Sequence, residues 1–248
     1  MLSTTAQNPD KVLSIAANVA RVRERIRQAA LRAGRDPAAV RLVAASKTVE
    51  VARVRAAIAA GVTILGENYL QEARQKRGQL GPEAVEWHLI GALQRNKARY
   101  IFDLFSLMHS LDSFALAEEI NRRAERQGRR MAALLEVNVG GEATKSGWSP
   151  AVLMTELEKL ATLPHLEIRG LMTIPPPTED PEAARPFYQE LRTLRDRLAQ
   201  RGVAGMTFDE LSMGMTADFE VAVEEGATLV RVGTAIFGPR PASQAHGD

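Results

Sequence analysis

The stretch "RLVAASKTVEVARVRAAIAAGVTILG", residues 41–66, decides the fold. A short apolar run is followed by apolar residues three and four apart, then by a glycine and a second apolar run, which predicts strand, helix and strand. An open dinucleotide-binding sheet carries GxGxxG after its first strand. This chain instead has Ser46, Lys47 and Thr48 at that point, which favours a closed barrel if the unit repeats.

The unit does repeat. Eight short apolar runs predict strands: "RLVAAS", "VTILG", "EWHLIG", "LFSLMHS", "AALLEVNV", "LEIRGLMTI", "FDELSMG" and "TLVRVGTAIFG". Helical spacing separates most of them, over residues 49–61, 113–128, 149–164 and 182–202, with a helix start or kink expected near Pro186. We therefore predict an α/β protein, a single (β/α)8 TIM-type barrel.

An extra N-terminal helix is predicted ahead of the barrel. Residues 9–34 place Val12, Ile15, Val19, Val22, Ile26 and Leu31 near helical spacing, and Gly34 is a natural helix end. We expect one domain over residues 1–248: this leading helix, a barrel over about 41–238, and a short polar C-terminal tail.

Composition excludes several classes of function. Lysine plus arginine total 32 against 30 acidic residues, so the charge balance gives no reason to expect a nucleic-acid partner. With no cysteine, disulfides and thiolate chemistry are excluded, and the four separated histidines show no metal-ligand spacing. The polar N-terminus and the lack of a long apolar run argue against a signal peptide or membrane span, so we predict a cytoplasmic protein.

The chemistry of a βα barrel sits at the carboxyl ends of its strands. The polar or sulfur-containing residues at these ends are Lys47, Glu67, Asn68, His88, Ser110, Asn138, Met172, Thr173, Ser212 and Arg231. Polar strand ends also cap helices or meet water, so no one of these residues defines a site by itself.

The loops after strands seven and eight are more specific, because barrels commonly bind phosphate there. They read "SMGMTADF" and "RVGTAIFG". Gly214, Gly233 and Gly238 allow close approach of backbone to an anion, and Ser212 and Thr234 offer hydroxyls. The alternative for "GTAIFG" is a packed strand end that uses glycine for a turn.

Arg231 and Lys47 complete the set of candidate site residues. Arg231 lies two residues before Gly233, so both face the barrel mouth, and its guanidinium needs a ligand or a carboxylate such as Glu210 or Glu136. Barrel closure brings Lys47 beside strand eight, where apolar walls favour a nucleophilic amine. Otherwise Lys47 reaches solvent or pairs with Glu67. A lysine amine beside a phosphate site matches pyridoxal 5′-phosphate (PLP), because that molecule carries an aldehyde for the amine and a phosphate for the site.

The motifs resemble a known family. "VAASKT", "LGENYLQE", "WHLIGALQRNK", "LEVNVGGEATKSG", "GLMTIPP" and "ELSMGMTADFEVAVEEGATLVRVGTAIFG" look like the pyridoxal phosphate homeostasis (PLP-binding) proteins, which are similar in fold to the N-terminal barrel of alanine racemase. The resemblance runs from about Arg41 to Gly238. One departure is Leu65, where family members often have phenylalanine, and it concerns local packing.

The resemblance implies a Schiff base, the internal aldimine of PLP on Lys47. It further implies that Ser212, Gly233 and Thr234 hold the phosphate, that Arg231 faces the pyridine nitrogen, and that Asn68, Met172 and Met213 line the ring. An arginine there donates to the nitrogen and discourages its protonation, which makes the cofactor a weaker electron sink.

The expected function is that of a non-catalytic PLP carrier, a monomer, in vitamin B6 and amino-acid homeostasis, with PLP-dependent apoenzymes as possible recipients. An amino-acid racemase is the main alternative. It needs a second acid/base, which racemases take from a C-terminal β-domain not seen after "FGPRP", and the resemblance marks none of Tyr69, Tyr100 and Tyr188 as catalytic. A Schiff-base aldolase acting on a phosphorylated sugar explains Lys47 but accounts less well for Arg231 and "SMGM".

Overall fold

Strand β1, Arg41–Ala45, lies between β2 and β8, and these two parallel pairings close the sheet into a barrel. The computed structural model describes residues 9–81, 85–142 and 145–239. Within them the strand order is sequential around the barrel, as the eight predicted strands require. The strands after β1 are β2 Ile64–Glu67, β3 Glu86–Leu89, β4 Leu107–Leu111, β5 Met131–Glu136, β6 Leu166–Met172, β7 Met206–Ser212 and β8 Leu229–Val232.

Helices surround the barrel. They are α1 Pro9–Arg32, α2 Val51–Ala59, α3 Leu70–Leu80, α4 Phe114–Arg126, α5 Pro150–Leu160, α6 Arg185–Gln200, α7 Phe219–Glu224 and α8 Thr234–Phe237, and a 3-10 turn, Arg95–Tyr100, follows β3. The four helices predicted from spacing are present. α6 begins next to Pro186, which occupies its first turn, where the missing N–H costs nothing.

Alternation along each strand divides the apolar residues into two layers. A small inner cluster fills the barrel, made of Val43, Ile64, Leu107, Ala132, Leu134, Met172 and Leu229. A larger outer layer packs the barrel against the helices. In β8, for example, Leu229 points inward, whereas Val230 and Val232 belong to the outer layer. Arg231 therefore points into the barrel.

The N-terminal helix α1 packs across the seam where the barrel closes. Its buried face carries Ile15, Val19, Val22 and Ile26 at helical spacing, and it lies against α2, α7 and α8. Asn18 donates to the Ile236 carbonyl of α8 at 3.0 Å. The expectation that Leu31 belongs to this face is wrong: Leu31 is 50% exposed, because Ala29 and Ala30 take the buried positions of that turn.

Helix α3 was not predicted, and its pattern shows why. The buried positions are Ala73, Lys76 and Leu80, so a lysine stands where an apolar residue would mark the helix.

Of the predicted C-terminal tail, residues 240–248 lie outside the described part, as do residues 1–8 at the other end. Within the described ranges, no helix has the length and apolar character that a bilayer crossing requires, and no histidine, cysteine, aspartate and glutamate residues gather as a metal site.

Candidate functional site

A cavity of about 340 Å³ opens at the carboxyl ends of the strands. Five residues predicted for the site line it: Lys47, Asn68, Arg231, Gly233 and Thr234. The remaining lining residues are Ala45, Val49, Ile90, Ile174, Met215, Thr216, Ala217, Phe237 and Gly238. The pairing of β1 with β8, in which Val43 faces Arg231, is what brings the lysine loop beside the Gly–Thr turn.

Lys47 sits on a turn held from behind by a buried ion-pair network. The ammonium of Lys76 lies 2.7 Å from Glu67 Oε1 and 2.7 Å from Glu72 Oε1, and it also donates to the carbonyl of Ser46. The amide of Thr48 donates to Glu72. Both residues that flank Lys47 are therefore fixed by this network. Glu67, the expected alternative partner of Lys47, bonds to Lys76 and Ser46 instead.

The network supports an unusual backbone conformation. Thr48 has a φ of 62°, which is a strained value for a β-branched residue. Glu67 is fully buried, and burial raises its pKa although Lys76 and Ser46 oppose the shift. A strained residue persists only where its surroundings hold it. The buried charges therefore act to hold the Lys47 turn in one shape.

Arg231 forms the floor of the cavity. It is 4% exposed, and its guanidinium donates to Ser212 Oγ at 2.5 Å and to the Thr173 carbonyl at 2.9 Å. Neither Glu210 nor Glu136, the carboxylates expected as alternatives, forms an ion pair with it; Glu210 bonds to Arg41. Two bonds use only part of an arginine's five N–H donors, which leaves donors for a ligand in the cavity.

A row of polar side chains continues from Arg231 down the barrel interior. His109 Nδ1 lies 2.8 Å from Ser212 Oγ, and His109 Nε2 lies 2.9 Å from His88 Nδ1. His88 Nε2 lies 3.3 Å from Glu86 Oε2 at the opposite end of the barrel. Burial lowers the pKa of His88 to about 4 and that of His109 well below its usual range, so both rings are neutral near pH 7.

Because both histidine rings are neutral, the hydrogen bonds along this row all run in one direction. The Glu86 carboxylate can only accept, so His88 Nε2 carries the proton and His88 Nδ1 accepts from His109 Nε2. His109 Nδ1 is then an acceptor, and the Ser212 hydroxyl donates to it. The Ser212 oxygen is thereby left to accept from Arg231. Each bond polarises the next one, which strengthens the hold on the guanidinium.

Glu136 is a half-buried acid at the end of β5. Its pKa is raised to about 7, mainly by burial and also by the neighbouring Asp112, while the positive charge of Arg231 opposes the shift. A carboxyl group that titrates near neutral pH thus influences the floor of the cavity.

The loop after β7 departs from the sequence-based expectation. Gly214 has a φ of 89°, and a Cβ there would lie 2.5 Å from Ala222 Cβ, so the turn needs glycine. The turn ends the strand alternation, and Met215, Thr216 and Ala217 beyond it face the cavity. Thr216 Oγ1 accepts from the Ala235 amide of α8 at 3.3 Å. Thr216 therefore joins the two loops at the expected phosphate position.

Three predicted site residues lie elsewhere among the described residues. Met213, expected to line the ring, has its side chain buried in the outer layer, and Met215 lines the cavity. Ser212 is fully buried below the cavity and binds Arg231, so the hydroxyl that faces the opening is that of Thr216. Met172 packs in the inner cluster below the lining.

Other strand-end residues support the loops. Ser110 donates to the Gly91 carbonyl at 2.6 Å, and Gly91 lets its loop approach Asn68 closely, since a Cβ there would lie 2.6 Å from Asn68 Cα. Asn138 donates to the Glu142 carbonyl at 2.8 Å, which closes a separate loop. Ile90 and Ile174 were missed as lining residues, although each lies at or next to the end of a predicted strand.

The class of protein is defined by its fold and its site: a closed βα barrel with a lysine, a buried arginine and a Gly–Thr turn around one cavity at its mouth. The family described as alanine racemase, N-terminal domain, matches residues 14–241 of this chain. A relative from Aquifex aeolicus, named pyridoxal phosphate homeostasis protein, is 46% identical, with 90% of this chain and 96% of the relative covered. The chain belongs to the pyridoxal phosphate homeostasis protein family.

Solved structures show the same similarity. A protein of unknown function from Bifidobacterium adolescentis superposes with a TM-score of 0.85 at 41% identity, covering 95% of this chain and 99% of that one. PipY of Synechococcus elongatus, determined with PLP bound, superposes with a TM-score of 0.78 at 40% identity, covering 90% of this chain and all of PipY.

Proposed function

We propose that this chain is a PLP-binding homeostasis protein that holds the cofactor reversibly and does not turn over a substrate. The observation that carries the proposal is that Lys47 and the Gly233–Thr234 turn face one cavity whose floor is Arg231. The relatives' name and the PLP-bound PipY structure support it.

The cavity meets the chemical demands of PLP. Its volume of about 340 Å³ lies in the range of small-molecule sites. Lys47 offers an amine for the aldehyde, and Thr216 and Thr234 offer hydroxyls for the phosphate. Arg231 presents donors below, and Ile90 and Ile174 provide apolar walls. When bound, PLP supplies an electrophilic aldehyde and an electron-withdrawing ring.

Two features support binding without turnover. Arg231 stays protonated at ordinary pH, so it donates to an acceptor nitrogen and does not supply a proton to strengthen the electron sink. Proton transfer on both faces of a substrate needs a second acid/base opposite the lysine. Among the described residues that line the cavity, none is a tyrosine, histidine, aspartate or glutamate. Tyr69 and Tyr100 lie outside it, and Tyr188 is fully buried.

Absorbance tests the binding proposal. Protein incubated with PLP should turn yellow, borohydride should fix the cofactor, and peptide mapping should find it on Lys47. Lys47→Ala should lose the covalent adduct, whereas Lys159→Ala, on the surface of α5, should keep it. A colourless wild-type protein would sink the proposal.

Incubation with L-amino acids separates carrier from racemase. We expect no accumulation of the D-enantiomer, and sustained D-alanine formation would establish the racemase instead. For an aldolase, the probe is a phosphorylated sugar, and retro-aldol cleavage without PLP would favour that reading.

We also propose that the chain works as a cytoplasmic monomer and passes PLP to apoenzymes. The sequence has no cysteine, which is compatible with a reducing compartment. Transfer is tested by mixing PLP-loaded protein with a PLP-dependent apoenzyme behind a trap for free PLP. Recovery of enzyme activity supports direct transfer, and failure of recovery contradicts it.

A further inference from the structure

A second cavity adjoins the first at the same end of the barrel. It has a volume of about 490 Å³, lies between the start of α3 and the 3-10 turn Arg95–Tyr100, and shares Asn68 as a wall with the Lys47 cavity. The motifs "LGENYLQE" and "WHLIGALQRNK" supply much of its lining. The proposed cofactor site leaves most of those residues without a role.

The floor of this adjoining groove is apolar and its rim is polar. Leu89 and Leu93 are 0% and 8% exposed and form the floor. Arg74 and Lys97 stand on the rim with two amide side chains, Gln71 and Gln94. An apolar floor with a few convergent polar groups is the usual composition of a small-molecule site.

The two cations are available for an anion. Within the described ranges, neither Arg74 nor Lys97 has a carboxylate within ion-pair distance. The Arg74 guanidinium lies 5.4 Å from the ring centroid of Tyr100, another lining residue, and this contact holds it beside the opening. Arginine binds a carboxylate through two parallel N–H bonds, more strongly than it binds a neutral acceptor.

We propose that the groove binds a small organic carboxylate with an apolar body. The carboxylate lies between Arg74 and Lys97, and the body covers Leu89 and Leu93. Amino acids and simple or 2-oxo carboxylic acids share this chemistry. The site itself does not depend on the proposed function, but its consequence does: because both cavities use Asn68, the carboxylate and PLP each change the affinity of the protein for the other.

Matched probes test the site. The probes are 3-phenylpropionate, its neutral isostere 3-phenylpropionamide, and L-phenylalanine, titrated by calorimetry into full-length wild-type and Lys47→Ala protein. We expect 3-phenylpropionate to bind both proteins equally and the amide to bind about tenfold more weakly, since a hydrogen bond to a charged group is stronger than one between neutral groups. The double variant Arg74→Gln/Lys97→Gln should lose a similar factor. Arg122→Gln on α4 is the matched control and should bind as wild type.

Each outcome decides one point. Equal binding of acid and amide, unchanged binding by the double variant, or no binding of any probe would overturn the site. L-Phenylalanine that binds as tightly as 3-phenylpropionate identifies amino acids as the natural class, and weaker binding identifies simple or 2-oxo acids. Retained PLP absorbance shows that the double variant is folded. If wild-type protein forms no yellow adduct with PLP but still binds 3-phenylpropionate, the proposed function is wrong and the proposal of a carboxylate site in the groove is retained.

Discussion

The guanidinium of Arg231 donates to the hydroxyl oxygen of Ser212 at 2.5 Å, and this bond joins the floor of the cavity to the row of polar side chains through the barrel. His109 lies on the other side of the same hydroxyl, at 2.8 Å. Ser212 is fully buried, so water cannot readily replace its bonds. The position of Arg231 therefore depends on a residue that the cavity itself does not expose.

Ser212→Ala should lower both stability and PLP affinity. The change leaves one guanidinium N–H and His109 Nδ1 without partners in the interior, which costs about 1–3 kcal/mol of the free energy of unfolding. A less ordered Arg231 should weaken PLP binding several-fold. Urea unfolding and absorbance titration measure the two effects. Ser106→Ala, at an exposed serine, should change neither, and wild-type values for Ser212→Ala would contradict the role assigned to the row.

Thr216→Val should weaken the binding of PLP but not of pyridoxal. The substitution keeps the shape of the side chain and removes the hydroxyl that lies between the two loops. Loss of one hydrogen bond to a charged phosphate should reduce PLP affinity about tenfold. Pyridoxal has no phosphate and should bind as before. Met213→Leu, in the outer layer, is the control, and an equal loss for both ligands would place the phosphate elsewhere.

Acid should destabilise the protein through its two interior histidines. In the folded state the pKa of His88 is about 4 and that of His109 is far below 6.5, whereas both are near 6.5 in the unfolded chain. Between these values the unfolded state binds more protons, so the free energy of unfolding falls as pH falls from 6.5 towards 4. Each histidine contributes up to about 1.4 kcal/mol per pH unit.

Two histidine variants test whether the interior histidines cause this dependence of the unfolding free energy on pH. His109→Asn should flatten the dependence of unfolding free energy on pH in this window. His165→Asn should leave it unchanged, because that ring lies outside the barrel and bonds to the Arg129 carbonyl at 3.0 Å. A slope that is the same in wild type and His109→Asn would show that other groups cause the acid sensitivity.

Glu136 should make PLP binding sensitive to pH near neutrality. Its pKa is about 7 because the side chain is partly withdrawn from water and lies near Asp112. As pH rises through 7 the carboxyl ionises and offsets the positive charge of Arg231, so affinity for the anionic cofactor should fall. The same group stabilises the folded state below pH 4.5, and that stabilisation is lost as pH rises to 7. Glu136→Gln should reduce both effects, and Glu158→Gln on the surface should alter neither. An unchanged affinity profile in Glu136→Gln would exclude it as the titrating group.

The barrel and half of the site follow from local patterns. Short apolar runs predicted the strands, and helical spacing predicted most of the helices between them. The strand-end rule placed Lys47, Asn68 and Arg231, and the loop pattern after strand eight placed Gly233 and Thr234; all five reach the cavity. Ser212 and Met213 lie away from the cavity, whereas Met215, Thr216 and Ala217 line it. Gly214, with its positive φ, turns the chain between the two sets of residues, and the sequence pattern does not reveal the direction of that turn.

Other features have no local signal. The pairing of His109 with Ser212 joins residues 103 positions apart and exists only because the barrel closes. Helix α3 escaped prediction because a buried ion pair replaces an apolar contact at Lys76. Sequence patterns report burial through apolar residues, so a buried charge reads as a surface residue until its partner is known.

Lys76→Met should be strongly destabilising and should also impair attachment of PLP. Lys76 is 4% exposed, and its loss leaves the fully buried Glu67 carboxylate without a counter-ion, a change that typically costs about 3–5 kcal/mol. The Ser46 carbonyl and Glu72, which bonds the Thr48 amide, both lose their contact with Lys76, so the strained turn that carries Lys47 should relax. Urea unfolding measures the first effect, and borohydride trapping of PLP under native conditions measures the second.

The double variant Lys76→Met/Glu67→Gln removes the unpaired charge and should recover part of the stability. Lys159→Met breaks an exposed pair with Glu156 and should cost less than about 1 kcal/mol. Wild-type trapping by Lys76→Met would show that the turn keeps its shape without the buried lysine.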